Sequence, residues 1–314
     1  MNAPRRAPTR RVDGVLLLDK PIGLSSNAAL QRAKHLYRAA KAGHTGTLDP
    51  LASGLLPICF GEATKFAHML LDADKSYVAT IRLGVTTTTG DAEGDVVLER
   101  PIVASQAELE SLLPRFVGRV AQRPPAYAAL KYQGRKYYEY ARAGIEIPRA
   151  EREIVIAELT LDAWSPPEAR LTVRCGKGTY VRVLAEDLGE ALGCGAHLAA
   201  LRRTATGGFD LGAAVTLDAL TSLADDARER RLLPADVLVA ALPRLDLAPA
   251  EAAGFRDGRV IMRAHLVDGA YRTYAGGWFV GIAHAAQGTV QPRRLVAAPA
   301  ADYAAAGPIE SLES

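Results

Sequence analysis

No stretch of this 314-residue sequence approaches the ~20 consecutive apolar residues that a membrane helix requires. The early run Val15–Leu18 ends at Asp19, too short for the apolar core of a secretion signal. Cysteine is scarce: Cys59, Cys175 and Cys194 are too few and too scattered for a disulfide framework, and their spacing fits no zinc site. That usage suits a reducing compartment, so a cytoplasmic protein is expected. Signatures of other chemistries are missing too. There is no His-Glu-x-x-His, no Gly-x-Ser-x-Gly and no phosphate-binding P-loop. Gly176-Lys177-Gly178 falls short of the dinucleotide fingerprint, because Val181 stands where its third glycine belongs. The acidic stretch Asp91-Ala92-Glu93-Gly94-Asp95 lacks EF-hand spacing and reads as a solvated hairpin. Net charge is only +3, which by itself points to no partner.

What is present is size and pattern. The length exceeds that at which one core stops growing, so a large domain plus a small one is expected. Gly14–Asp19 and Leu55–Phe60 read as buried strands and Ser76–Leu83 as an alternating one. Ser25 or Ser26 can cap a helix over about 27–39. Ala63–Leu71 reads as a helix, and Ser105 with Glu108 forms a capping box opening another. Glu153–Leu161 and Arg170–Cys175 alternate like paired strands around Ser165-Pro166-Pro167. Thr179 can cap a helix that Gly193 stops, and 216–240 looks helical. Strands near Arg259–Met262, Tyr271–Tyr274, Phe279–Ala283 and Leu295–Ala298 then alternate with Gly-rich turns. The fold class expected is α+β, without steady βαβ alternation. The division expected is a flexible basic lead-in at 1–13, a large domain over 14–246 and a small β-rich module over 247–314 with frayed last residues.

Three segments can carry chemistry. In Gly43–Pro50, Asp49 sits between a Gly-rich turn and a proline; it is either a reactive carboxylate or the cap of a short helix with Pro50 at its first position. His44 there is either functional or a hydrogen-bonded loop histidine. In Gly176–Arg182, a Gly-rich turn into a helix offers backbone N–H groups to an anion, or is a solvated helix start. The third is basic: residues 115–152 hold nine Lys/Arg against three Glu. Within 123–152 lie Tyr127, Tyr132, Tyr137, Tyr138 and Tyr140, five of eleven tyrosines. Cations neutralise phosphates and aromatic faces stack on unpaired bases, so RNA contact is the favoured reading, against a solvated basic helix with its tyrosines packed inward.

Taken together, GVLLLDKPIGLSSN, AGHTGTLDPLASGLLPICFGEATK, DKSYVATIRLG, RPPAYAALKYQGRKYYEYAR and CGKGTYVRVLAEDLGEALGCGAHLAALRR resemble, in order, the bacterial tRNA pseudouridine-55 synthase family. The likeness covers most of 12–206; beyond about 247 it is looser, to the family's PUA-like RNA-binding tail. It implies a pseudouridine-synthase-like mixed β-sheet with flanking helices. It also implies that Asp49 is the catalytic aspartate, that Tyr77 stacks on the target base and that His44 helps receive the flipped nucleotide. Tyr180 and Arg182 would line the pocket, Arg182 pairing with Asp49. Leu201 would complete an apolar wall and Lys20 would support the site. Ala128 stands where the family often has Ser, so no hydroxyl contact is expected there.

Pseudouridine formation breaks N1–C1′, turns the uracil and joins C5 to C1′. A carboxylate suits this, since it can bond to sugar or base, or take a proton, and later leave. Burial would neutralise it, and Arg182 would offset that cost. No metal and no cofactor are expected. The partner expected is the tRNA T-arm, with the base flipped out of its stack. No membrane and no obligate protein partner are expected, and the chain is expected to be a monomer. The rival readings are a non-catalytic tRNA-binding or remodelling protein, a nucleoside hydrolase and a guide-RNA-dependent synthase.

Overall fold

The computed structural model describes residues 8–297. Residues 1–7 of the expected flexible lead-in, and the expected frayed end, lie outside the described residues. The described part of the lead-in is tied down: Arg10 N–H donates to Arg38 O, and Val12 is buried.

β1 (Gly14–Lys20) sends Leu16 and Leu18 into the core on one face of a sheet and Val15 and Leu17 into the core on the other. Both faces are covered, so the run is continuous rather than alternating. α1 (Ser26–Leu36) starts where the Ser25 hydroxyl accepts from Ala28 N–H. β2 (Ala42–His44), β3 (Ala52–Phe60) and β4 (Lys75–Leu83) follow, then a ribbon of β5 (Val85–Thr87) and β6 (Val96–Glu99). α2 (Gln106–Leu112) opens on the Ser105–Glu108 capping box. β7 (Gly118–Gln122) runs into an excursion holding β8 (Lys131–Tyr132), β9 (Arg135–Lys136) and α3 (Tyr137–Arg142). β10 (Arg152–Ser165) and β11 (Glu168–Cys175) form a long hairpin, followed by α4 (Val181–Ala191) and β12 (Ala196–Thr206). Then come β13 (Phe209–Asp210), β14 (Val215–Thr216), α5 (Leu217–Ser222), α6 (Asp225–Glu229) and β15 (Leu232–Leu233).

The main sheet runs β14-β1-β3-β12-β4-β11-β10-β7, with β2 and β15 added beside β3 and β1 and β13 beside β12. It is mixed: β1–β14 and β3–β12 are parallel and the other pairs antiparallel. Helices α1, α4 and α5 cover one face through Ala29, Leu30, Leu184, Leu188 and Leu220. A second sheet, β16 (Arg244–Leu247), β17 (Ile261–Met262), β18 (Gly269–Ala275), β19 (Trp278–Ala286) and β20 (Thr289–Leu295), has the order β16-β18-β19-β20-β17. With α7 (Pro249–Arg256) it builds its own core around Phe255, Val280 and Val290. Ile282 and Phe279 reach the other face of the main sheet, where Phe279 packs on Phe66 at 5.3 Å between ring centres.

Several expected elements take a different form. Residues 63–71 make two 3-10 turns, Gly61–Lys65 and Ala67–Leu70, rather than one helix. The break falls at Phe66, whose ψ of −1° leaves the helical path while its ring is buried under the second sheet. The expected helical stretch 216–240 is divided. Buried Arg228 donates to Leu220 O and Leu223 O and also to Leu36 O, capping the ends of α5 and α1 at once. Tyr180, not Thr179, stands at the start of α4; the Thr179 hydroxyl turns back to Gly176 O. The last strand is 289–295, earlier than the expected Leu295–Ala298, and carries Pro292 opposite Ala283 beside a register shift. Ala298 itself lies outside the described residues.

Candidate active site

The loop between β2 and β3 is built to hold one carboxylate. His44 ends β2 opposite Ile58, and Thr45 N–H donates to Pro57 O. The buried Ser26 hydroxyl accepts from Leu48 N–H at 2.7 Å and donates to Leu48 O at 2.9 Å, pinning the residue before Asp49. Asp49-Pro50-Leu51-Ala52 is then a turn closed by Ala52 N–H on Asp49 O at 3.0 Å, with proline at its favoured second position. Asp49 is therefore not a helix cap. Gly23 N–H donates to Pro50 O, so the Lys20–Gly23 turn leans on the same loop. On the other side, Gly54 (φ +100°) lies against β12. A Cβ there would come within 2.3 Å of Arg203 O, so only glycine lets the loop's strand meet β12.

Arg182, in the first turn of α4, aims its guanidinium at this loop with only 8 % of its side chain exposed. Its Nη2 lies 3.2 Å from Asp49 Oδ2 and donates to Tyr127 O at 3.0 Å. Its Nη1 lies 3.3 Å from Asp91 Oδ2 and donates to Thr89 O at 3.2 Å. Asp91 belongs to the stretch expected to be a solvated hairpin, and this corrects that reading: its side chain is 3 % exposed. Its other oxygen accepts from the Thr89 hydroxyl and Glu93 N–H. Desolvating an arginine demands a paired anion, and Asp91 supplies one that is fully buried, leaving Asp49 45 % exposed.

The electrostatics follow from that sharing. Burial pushes the Asp49 carboxyl above the ordinary aspartate range; Arg182 opposes the shift, while the charge of Asp91 adds to it. Arg182 thus offsets the cost of burial only in part. Lys20, buried at the end of β1, is drawn down to about 8 by burial, with Asp49 opposing the shift. Its ammonium donates to Pro21 O and Leu24 O. Burial, with Arg203 nearby, lowers His44 and favours the neutral ring, whose Nδ1 is buried without a hydrogen-bond partner. Burial raises Tyr77 and Tyr180, so both phenols are neutral.

Tyr77 lies in β4, opposite Arg203 of β12, and is buried. Leu201 lies in β12 between Ala52 and Ala79, half-buried. Fully buried Arg203 donates to Leu55 O and Gly46 O and so braces the Asp49 loop from behind. Of these supporting residues, Asp91, Arg203 and the Ser26 clasp were not singled out from sequence. The two available signals are the threonine run before Asp91 and the second arginine after Leu201.

The basic excursion is a short hairpin and one short helix. Tyr140 is buried against Tyr132, while Tyr127, Tyr132, Tyr137 and Tyr138 are half-buried. Arg135 lies over the Tyr140 ring, and Lys136 and Arg142 approach Tyr138. Among the described residues, no group of three His, Cys, Asp or Glu is placed to hold a metal ion.

Residues 34–181 match the TruB family pseudouridylate synthase N-terminal domain, 182–240 the tRNA pseudouridylate synthase B C-terminal domain and 243–296 the C-terminal domain of pseudouridine synthase II TruB. The chain is 58 % identical over 292 residues to the tRNA pseudouridine synthase B of Thiobacillus denitrificans, covering 92 % of this chain and 98 % of that one. It is 54 % identical over 293 residues to the protein of the same name from Azoarcus sp., covering 93 % and 98 %. Among solved structures, a chain of an archaeal box H/ACA sRNP Nop10-Cbf5 complex matches with a TM-score of 0.65 and 25 % identity over 87 % of this chain and 78 % of that one. A chain of a Cbf5-Nop10-Gar1 complex matches at 0.67 and 23 % over 95 % and 90 %, a likeness of fold. With more than half its residues identical to these relatives over almost their whole length, the chain belongs to the TruB family of pseudouridylate synthases.

Proposed function

We propose that this chain isomerises uridine-55 in the T-loop of tRNA to pseudouridine, with Asp49 as the catalytic carboxylate. Membership of the family supports the reaction class and the tRNA substrate. The observation that carries the residue-level reading is a buried guanidinium shared between two carboxylates, with Asp91 sequestered and Asp49 partly exposed. In the reaction the N1–C1′ bond breaks, the uracil turns, C5 bonds to C1′, the C5 hydrogen leaves as a proton and N1 gains one. Asp49 supplies the nucleophile or base, Arg182 holds it ionised and oriented, and the Tyr77 ring backs the turning base. Neutral His44, apolar Leu201 and Tyr180 complete a pocket for the flipped nucleotide, with Lys20 beneath it. The cations and half-buried tyrosines of 123–152 fit phosphates and unpaired bases of the arm.

The chain acts in this reading as a single subunit, in the cytoplasm, without a guide RNA. Among the described residues no helix is long and apolar enough to cross a membrane. The test is incubation with unmodified tRNA carrying C5-tritiated uridine. Release of one tritium per tRNA, mapped to the T-loop, is expected. Tight binding with no release would favour the non-catalytic tRNA-remodelling alternative.

A further inference from the structure

Helix α4 carries Arg182 in its first turn, yet no side chain of its own segment caps it. The residue that opens it, Tyr180, is instead held from across the fold, beside the helix's own bond from Leu184 N–H to Tyr180 O. Gln122, the last residue of β7, is only 4 % exposed. Its Oε1 accepts from Tyr180 N–H at 2.8 Å, and its Nε2 donates to Tyr180 O at 3.1 Å. One amide thereby engages both backbone groups of one residue, the pairing of a β-bridge made by a side chain. A buried amide satisfied at both ends has one orientation available, so it fixes the backbone it holds.

The same residue marks the root of the basic excursion. Gln122 is in register with Arg152, the residue at which the chain returns. The Arg152 guanidinium lies 5.4 Å from the Tyr180 ring centre and donates to Gly178 O. Tyr127, five residues past Gln122, accepts from Arg182. Both ends of the excursion thus converge on Tyr180 and on Arg182, the partner of Asp49.

We propose that Gln122 is a positioning residue for the reaction: its clamp on the Tyr180 backbone sets the Tyr180 ring and the Arg182 guanidinium against Asp49, and ties the RNA-gripping excursion to that geometry. The inference rests on the assignment of Asp49 and Arg182 made above. It differs from simple stabilisation in what it predicts. Loosening the start of α4 lets the guanidinium drift from Asp49, and a displacement of about 1 Å at a reacting group can cost on the order of a hundredfold in rate. Binding of the RNA, spread over many phosphate and base contacts, changes little.

The experiment compares wild type with Gln122→Met, which keeps chain length and removes both hydrogen bonds. Single-turnover tritium release from T-arm RNA at saturating enzyme is measured across pH, with the steady-state KM and the melting temperature. The expected result is a rate reduced about tenfold to a hundredfold, KM within about threefold, and the acid limb of the rate profile moved to higher pH because Arg182 no longer opposes the burial of Asp49. Wild-type rate and an unshifted profile, with only a lower melting temperature, would overturn the proposal and leave Gln122 a structural residue. Should Gln122→Met not fold, Gln122→Asn, whose shorter amide cannot reach both Tyr180 groups, is read by the same criteria. Absence of tritium release by the wild type would instead overturn the assignment on which the inference rests.

Discussion

Replacing Arg182 by lysine keeps the charge and tests the geometry. The guanidinium fans two nitrogens over four acceptors: Asp49 and Tyr127 O from one, Asp91 and Thr89 O from the other. An ammonium is a single point with three donors, so it cannot serve both carboxylates and both carbonyls. The buried Asp91 is the costlier ion to leave unpaired, so the lysine settles there and Asp49 loses its partner. A hydrogen bond to a charged group contributes about 1.5–3 kcal/mol. At about 1.4 kcal/mol per tenfold, the single-turnover rate should fall roughly tenfold to 150-fold. The assay is tritium release at saturating enzyme, with RNA affinity measured in parallel by filter retention. Affinity should hold within a few-fold. A folded Arg182→Lys enzyme turning over within twofold of wild type would refute the idea that a planar guanidinium orients Asp49.

Four further outcomes follow from the same geometry. Asp91→Asn leaves Arg182 with one charged partner; breaking a buried pair typically costs about 3–5 kcal/mol, and because Asn still accepts a hydrogen bond a thermal melt should show a loss at or below that range. Because the Asp91 charge raises Asp49, the same variant should move the acid limb of activity to lower pH, and an upward move would contradict the pairing. In the wild type, activity should fall as pH drops through a value above the ordinary aspartate range. The matching stability effect has a definite sign: a carboxyl raised on folding favours the folded state below its unfolded value and loses that contribution as pH rises through its folded value. Melting curves of Asp49→Asn should therefore lie at or above wild type at neutral pH and converge with it in acid; a variant melting well below wild type at pH 7 would oppose this.

The strands carrying the site were legible because their burial leaves a local apolar pattern, continuous where both faces are covered and alternating where one is. The Val15–Leu18 run, the alternation in Ser76–Leu83 and the Ser105 capping box each have a local physical cause, and each forms as expected. Phe66 shows where local pattern fails: its apolar neighbours fit a helix, but burial beneath Phe279 of the second sheet bends the backbone there. The same limit governs the site. Asp49 stood out beside its glycines and Pro50, whereas Asp91 read as an ordinary polar turn because its partner, Arg182, lies on a distant helix. Pairing β4 with both β11 and β12 is what brings these segments together, and no sequence period encodes that pairing. Gln122 is hidden for the same reason, its partner Tyr180 being 58 residues away.

The most direct measurement compares wild type with Asp49→Asn on T-arm RNA bearing C5-tritiated uridine. Wild type should release one tritium per RNA, whereas the asparagine variant, binding the RNA with comparable affinity, should release none above background. Release by Asp49→Asn at a rate near that of the wild type would contradict the assignment of Asp49 as the catalytic carboxylate.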